Sequence, residues 1–166
     1  YICTSPFPYD GIFRRAVLNF KFHNCGAYAE LLSHEMVRSI KDVYRDRKFD
    51  LVTCVPMHKD TLRERGYNQA ELLAKECAKL LGIEYAALLA KTKKNKTQHS
   101  IKAAERAKNV IGVYSPIDKN LIKGKRILII DDIITTGSTL GECARILNKC
   151  KCGEICCCTL CTSLLI

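Results

Sequence analysis

The 166-residue sequence has no tryptophan, and aromatic residues make up only 7% of it. Binding of single-stranded nucleic acid by stacked bases would have few platforms to use. No apolar run approaches the roughly 20 residues a membrane helix needs, and no charged-then-apolar leader opens the chain. A soluble cytoplasmic protein without membrane insertion is expected. Two phosphate signatures are also missing. The absence of G-x-x-x-x-G-K-[ST] argues against a P-loop nucleotidase, and the absence of G-x-G-x-x-G after a strand argues against a dinucleotide site. Acidic residues are in deficit, 17 against 27 Lys and Arg, giving a net charge of +10. That balance favours anionic partners without choosing among them.

Cysteine, by contrast, is abundant, with eleven residues. A disulfide scaffold would be shorter and richer in loops. Cys150, Cys152, Cys156, Cys157, Cys158 and Cys161 could suggest zinc. However, Ile155 to Leu160 reads as a buried strand using cysteine as a small apolar residue, and a continuous strand cannot turn four thiolates toward one metal.

The chain length suits a single domain, with a helical N-terminal part (1–48) and an α/β core (49–166). Helices are expected over Asp10 to Phe22 and over Gly26 to Tyr44, the latter with Tyr28, Leu32, Met36, Ile40 and Val43 inward. Phe49 to Val55 reads as a strand ending at Pro56. Asn68 opens a helix that Gly82 closes. Ile83 to Ala90, Val110 to Tyr114 and Arg126 to Ile130 read as strands. A helix over Thr139 to Cys150 turns Leu140, Ala144 and Leu147 inward. Lys91 to Lys108 is polar and basic, a loop signature. Strands alternate with helices and their apolar runs are continuous, so the fold class is α/β, a mostly parallel central sheet with helices on both faces. Ligands of such folds bind at the carboxyl ends of strands.

The segment ILIIDDIITTGST, residues 127–139, places Asp131 and Asp132 at one such end. Paired carboxylates repel each other and cost desolvation unless something engages them. Capping of the turn would account for one aspartate and leave the second unexplained. Thr135, Thr136, Gly137, Ser138 and Thr139 then lead into a helix N-terminus, where hydroxyls, a glycine and exposed N–H groups suit a phosphate. Acceptors for a diol beside a phosphate cradle describe a ribose 5-phosphate.

All thirteen positions resemble the phosphoribosyl pyrophosphate (PRPP) motif of type I phosphoribosyltransferases. The segments YDGIFRRAVLNFKF (9–22), VPMHKDTLRERGYNQAELLA (55–74) and TQHSIKAAERAKNVIGVY (97–114) resemble the ComF competence branch of that family. Members commonly begin with a four-cysteine zinc-binding module. This chain starts where that module would end, and Cys3 alone is no site.

The resemblance implies roles. Asp131 and Asp132 would hold the ribose hydroxyls, and Thr135 to Thr139 the 5-phosphate. Pro56, Met57, His58 and Lys59 would face pyrophosphate, with Arg63 and Arg65 as further cations, although Lys59, Arg63 and Arg65 could equally be solvated surface charge. Lys91 to Arg106, with Thr97, Gln98 and Arg106, would form a mobile loop closing over the site. Magnesium would be held mainly through PRPP. Six-oxopurine salvage enzymes carry an aspartate where Thr135 stands, so the acceptor is expected to be another nitrogen compound. ComF proteins are linked to DNA uptake in natural transformation. A non-catalytic helper binding single-stranded DNA or competence proteins is therefore the alternative, and a homodimer is left open.

Overall fold

The computed structural model describes residues 1–22, 26–93 and 110–164. The six-stranded sheet has the order β1-β8-β7-β3-β4, with β2 also on β8: β1 (Ile2–Thr4), β2 (Phe7–Pro8), β3 (Leu51–Cys54), β4 (Glu84–Tyr85), β7 (Arg126–Ile134) and β8 (Glu154–Thr162). Every pairing in it is parallel. A separate antiparallel ribbon joins β5 (Leu89–Lys91) to β6 (Tyr114–Pro116).

The central strand shows why its apolar run is continuous. Along β7, Ile127 and Ile129 turn to one side, where they meet Leu140, Cys143 and Leu147 of helix α6 (Ser138–Lys149) and Ile122 of the short α5 (Lys119–Ile122). Leu128 and Ile130 turn to the other side, toward α1 (Gly11–Phe22), α2 (Gly26–Tyr44) and α4 (Gln69–Leu81). All four are fully buried, so neither face of the strand tolerates a polar residue. The same logic makes β8 a cysteine strand. Ile155 to Cys161 are buried, with Cys156 and Cys158 on one side and Cys157 on the other. Burial pushes the Cys157 and Cys158 thiols far above their usual range, which makes them inert apolar fillers.

Several expectations change. In α2 the buried face is Ala29, Ser33, Met36, Val37, Ile40 and Tyr44, while Tyr28 and Val43 are exposed. Tyr44 takes the last inward place because its hydroxyl donates to the carbonyls of Ile2 (3.0 Å) and Cys157 (2.6 Å). Ile83 to Ala90 is not one strand. The chain leaves β3 after Tyr85, Leu88 N–H donates to Thr53 Oγ1 at 3.3 Å, and β5 then joins the ribbon. Val110 to Val113 is a turn, with Gly112 at φ 71°, and the strand begins only at Tyr114. The N-terminal part is helical over Gly11–Phe22 and Gly26–Tyr44, but Ile2–Thr4 and Phe7–Pro8 are strands of the main sheet.

At the amino end of the sheet, Asp50 accepts from Arg126 three times: from the backbone N–H (2.8 Å), Nε (3.0 Å) and Nη2 (2.7 Å). These bonds hold its carboxyl well below the usual carboxylate range. A depressed folded-state pKa contributes stability above the unfolded value, about 3.9, and loses it as pH falls toward the folded value. Urea midpoints of the wild type should therefore fall as pH drops from about 5 to 2. Asp50→Asn should start lower at pH 7 and fall less over that window. Parallel slopes for the two proteins would assign the acid sensitivity elsewhere.

Candidate active site

Strand β7 outruns its neighbour β3. Their register ends at Cys54↔Ile130, and pairing of β7 to β8 continues to Ile134↔Thr162. Asp131 and Asp132 are therefore strand residues lying beyond the carboxyl end of β3, half-buried in the gap that β3 leaves. Asp131 Oδ1 accepts the Asp132 N–H at 2.9 Å. The two carboxylates wall a cleft of about 270 Å³.

Next comes the loop. Gly137 adopts φ 72°, ψ 0° and stands just before α6. Its carbonyl accepts from Gly141 N–H (2.8 Å) and from the Tyr1 hydroxyl (2.9 Å). Thr136 and Ser138 share a hydroxyl hydrogen bond of 2.8 Å. Thr135 through Thr139 encircle a small recess of about 30 Å³ that Asp131 also lines. The carboxylate pair and the hydroxyl loop thus adjoin: Asp131 lines both the cleft and the recess, and Thr139 reaches the cleft.

The opposite wall follows β3. Pro56, Met57 and His58 line the cleft, as does Arg65 at the end of α3 (Lys59–Arg65). His58 caps α3: its Nδ1 accepts the Asp60 N–H at 3.3 Å. Arg65 Nη1 donates to Gln69 Oε1 at 3.1 Å, which fixes its head beside the cleft. Lys59 lines an adjoining recess instead. Arg63 is exposed and is not among the cleft's walls. Thr97, Gln98 and Arg106 lie outside the described residues.

Three residues of this wall and its roof, Asn68, Gln69 and Tyr114, carried no site expectation, and Lys91 was expected only as the start of the closing loop. Asn68, beyond capping α4 through Ala70 N–H (3.2 Å), donates Nδ2 to the Val55 carbonyl at 3.1 Å, pinning the loop after β3. Gln69 holds Arg65. Lys91 and Tyr114 face each other across the ribbon, with Nζ 5.6 Å from the ring centre. Burial lowers the Lys91 pKa, and Asp131 opposes that shift. Burial raises the Tyr114 pKa, while a hydrogen bond with Thr139 acts against it. The ribbon therefore reaches both the carboxylate pair and the loop. Buried Glu142 of α6 accepts the Gly112 N–H at 2.9 Å and is clasped by Arg145 at 2.6 and 2.7 Å. It ties the turn before β6 to the helix behind the loop. Lys91 was expected as the first residue of a loop closing over the site, whereas the only sequence signal for Tyr114 was that it ends an apolar run, which many surface residues do.

The Phosphoribosyl transferase domain profile matches residues 67–164. The chain belongs to that family. Its fold agrees: a structure of the allosteric regulatory enzyme of purine biosynthesis superposes with TM-score 0.51 at 22% identity, over 78% of this chain and 24% of that one. The glutamine PRPP amidotransferase from B. subtilis superposes with TM-score 0.56 at 18% identity, over 84% and 30%. Among curated sequences, Competence protein F of Haemophilus influenzae is 31% identical over 144 residues, 84% of this chain and 63% of the relative. Competence protein ComFC of Bacillus subtilis is 31% identical over 152 residues, 91% and 60%. These relatives place the chain in the ComF branch, and it spans about 60% of their length. This phosphoribosyltransferase-fold chain has no helix, among its described residues, long and apolar enough to cross a membrane.

Proposed function

We propose that the cleft binds PRPP and that the chain transfers its phosphoribosyl group to a nitrogen acceptor, releasing pyrophosphate. The observation that carries this reading is the placement of Asp131 and Asp132 beside the Thr135–Thr139 loop, across from Arg65 and Lys91. The carboxylates accept hydrogen bonds from the ribose 2- and 3-hydroxyls. The loop N–H and hydroxyl groups hold the 5-phosphate. Arg65 and Lys91 face the diphosphate and stabilise the charge that develops on it as the C1–O bond breaks. The acceptor nitrogen forms the new bond to C1 from the opposite face and gives up its proton.

Magnesium fits this donor set only in a shared role. Among the described residues, no three His, Cys, Asp or Glu side chains form a cage for a metal. Magnesium keeps several waters and takes phosphate oxygens alongside one or two carboxylates. Asp131 and Asp132 are the carboxylates placed to assist, and the ion would neutralise diphosphate charge.

Calorimetry with PRPP and magnesium, followed by a pyrophosphate-release screen of nitrogen acceptors, tests the reading. Adenine, guanine and hypoxanthine are expected to be poor acceptors, because exposed Thr135 offers no carboxylate to a purine. Rapid pyrophosphate release with hypoxanthine would remove that specificity argument.

The relatives' names, two competence proteins and a DNA utilization protein of Escherichia coli, favour DNA uptake as the setting. They also carry a second reading, a helper that binds single-stranded DNA on a phosphoribosyltransferase fold without turnover. Oligonucleotide binding with no PRPP binding and no pyrophosphate release would select it.

A further inference from the structure

A second cleft, of about 390 Å³, opens at the amino end of the sheet, the pole opposite Asp131 and Asp132. Its floor is apolar: Phe49, Leu81 and Ile83 are each half-buried against the core and leave part of their surface open. Its rim is cationic: Lys41, Arg45, Arg47, Lys48 and Arg126 line it, and no acidic side chain does.

Ordinary roles account for part of this rim. Arg126 is held by Asp50, and Arg47 by Glu154. Arg45 Nε donates to the Asp42 carbonyl at 3.2 Å, and with Lys41 it complements the carboxyl end of α2. Two helix ends meet here, α2 and α4, and each carries about half a negative charge. That does not balance three exposed cations, Lys41, Arg45 and Lys48, for which no carboxylate partner is found among the described residues. Like charges gathered around one concavity repel each other and focus a positive potential into it.

The volume falls within the range of small-molecule sites. An apolar floor that includes an aromatic ring, under a rim of cations, matches a flat heterocycle joined to a phosphate. We propose that this cleft is a second binding site, separate from the PRPP cleft, for a nucleoside phosphate. The ring lies on Phe49, Leu81 and Ile83, and the phosphate faces Lys41, Arg45 and Lys48. The same chemistry is supplied by a free nucleotide or by one unit of a single-stranded oligonucleotide.

The experiment measures AMP, inorganic phosphate and an eight-nucleotide oligothymidylate by calorimetry. The full chain is used in an Asp131→Asn, Asp132→Asn background, with and without Lys41→Glu and Lys48→Glu. Both lysines are exposed, so circular dichroism should show the fold unchanged. The expected result is saturable AMP binding, tighter than inorganic phosphate and weakened at least tenfold by the charge reversal. Oligothymidylate binding much tighter than AMP, with the same lysine dependence, would identify the polymer as the source, and weaker binding would identify the free nucleotide. Absence of saturable AMP binding overturns the proposal. So does AMP binding that ignores the charge reversal, or inorganic phosphate binding as tightly as AMP.

Discussion

Asp131→Asn combined with Asp132→Asn should abolish most PRPP affinity while leaving the fold in place. Each carboxylate is expected to accept a hydrogen bond from a ribose hydroxyl, and a hydrogen bond to a charged group is worth about 1.5–3 kcal/mol. Losing the charge on both should weaken binding by about 100-fold or more. The fold should persist because both side chains are only half-buried at the strand end. An asparagine Oδ1 at position 131 can still accept the Asp132 N–H. The substitution has a further effect on the ribbon. Asp131 is the charge that opposes the downward shift of the Lys91 pKa, so Lys91 should lose protonation more readily in the variant. Calorimetry gives the affinity and thermal unfolding reports the fold. A folded double variant that binds PRPP like the wild type would show that the pair does not hold the diol.

Gly137→Val should cost both ligand and stability. The residue adopts φ 72°, a region that β-branched side chains avoid. Expected from sequence alone, a valine there would fill the anion site. The structure adds a different obstruction: an added Cβ would sit 3.2 Å from Tyr1 Oη and 3.7 Å from Ile134 Cδ1. The strain, about 1–3 kcal/mol, should lower Tm by roughly 2–4 °C per kcal/mol in a chain of this length. If the loop relaxes instead, its N–H groups turn away from the recess, and ribose 5-phosphate binding should drop at least tenfold. Gly137→Ala should show the stability loss with a smaller binding loss. A Gly137→Val protein that is folded and binds ribose 5-phosphate fully would exclude the loop from phosphate recognition.

Local order along the chain made much of this legible. ILIIDDIITTGST is contiguous, so the strand, the carboxylate pair and the Thr135–Thr139 loop arrive together and need no long-range contact to be recognised. Asn68 and Gly82 bound α4 as their residue types dictate, one capping and the other at φ 67°. The expected inward residues of α6, Leu140, Ala144 and Leu147, are all buried. In α2 the pattern misled because Tyr28 and Val43 are apolar in type yet lie off the buried stripe. No local rule says that Tyr44 will find two carbonyls on distant strands.

By itself, the sequence determined the strand end that carries the acids and the hydroxyl-rich loop after it, since each depends on near neighbours, and it determined the fold class through the alternation of strands and helices along the chain. Only the tertiary structure decided which distant groups face that end. Strand β3 had to stop at Cys54 to open the gap beside Asp131. Residues 83–91 had to divide between two sheets before Lys91 could meet Tyr114, 23 positions later, over the same cleft. The amino-end cleft likewise needs the ends of α2 and α4 to meet the start of β7. Such meetings are fixed by register and burial across the whole sheet, where each side chain's place depends on what the opposite face has already buried.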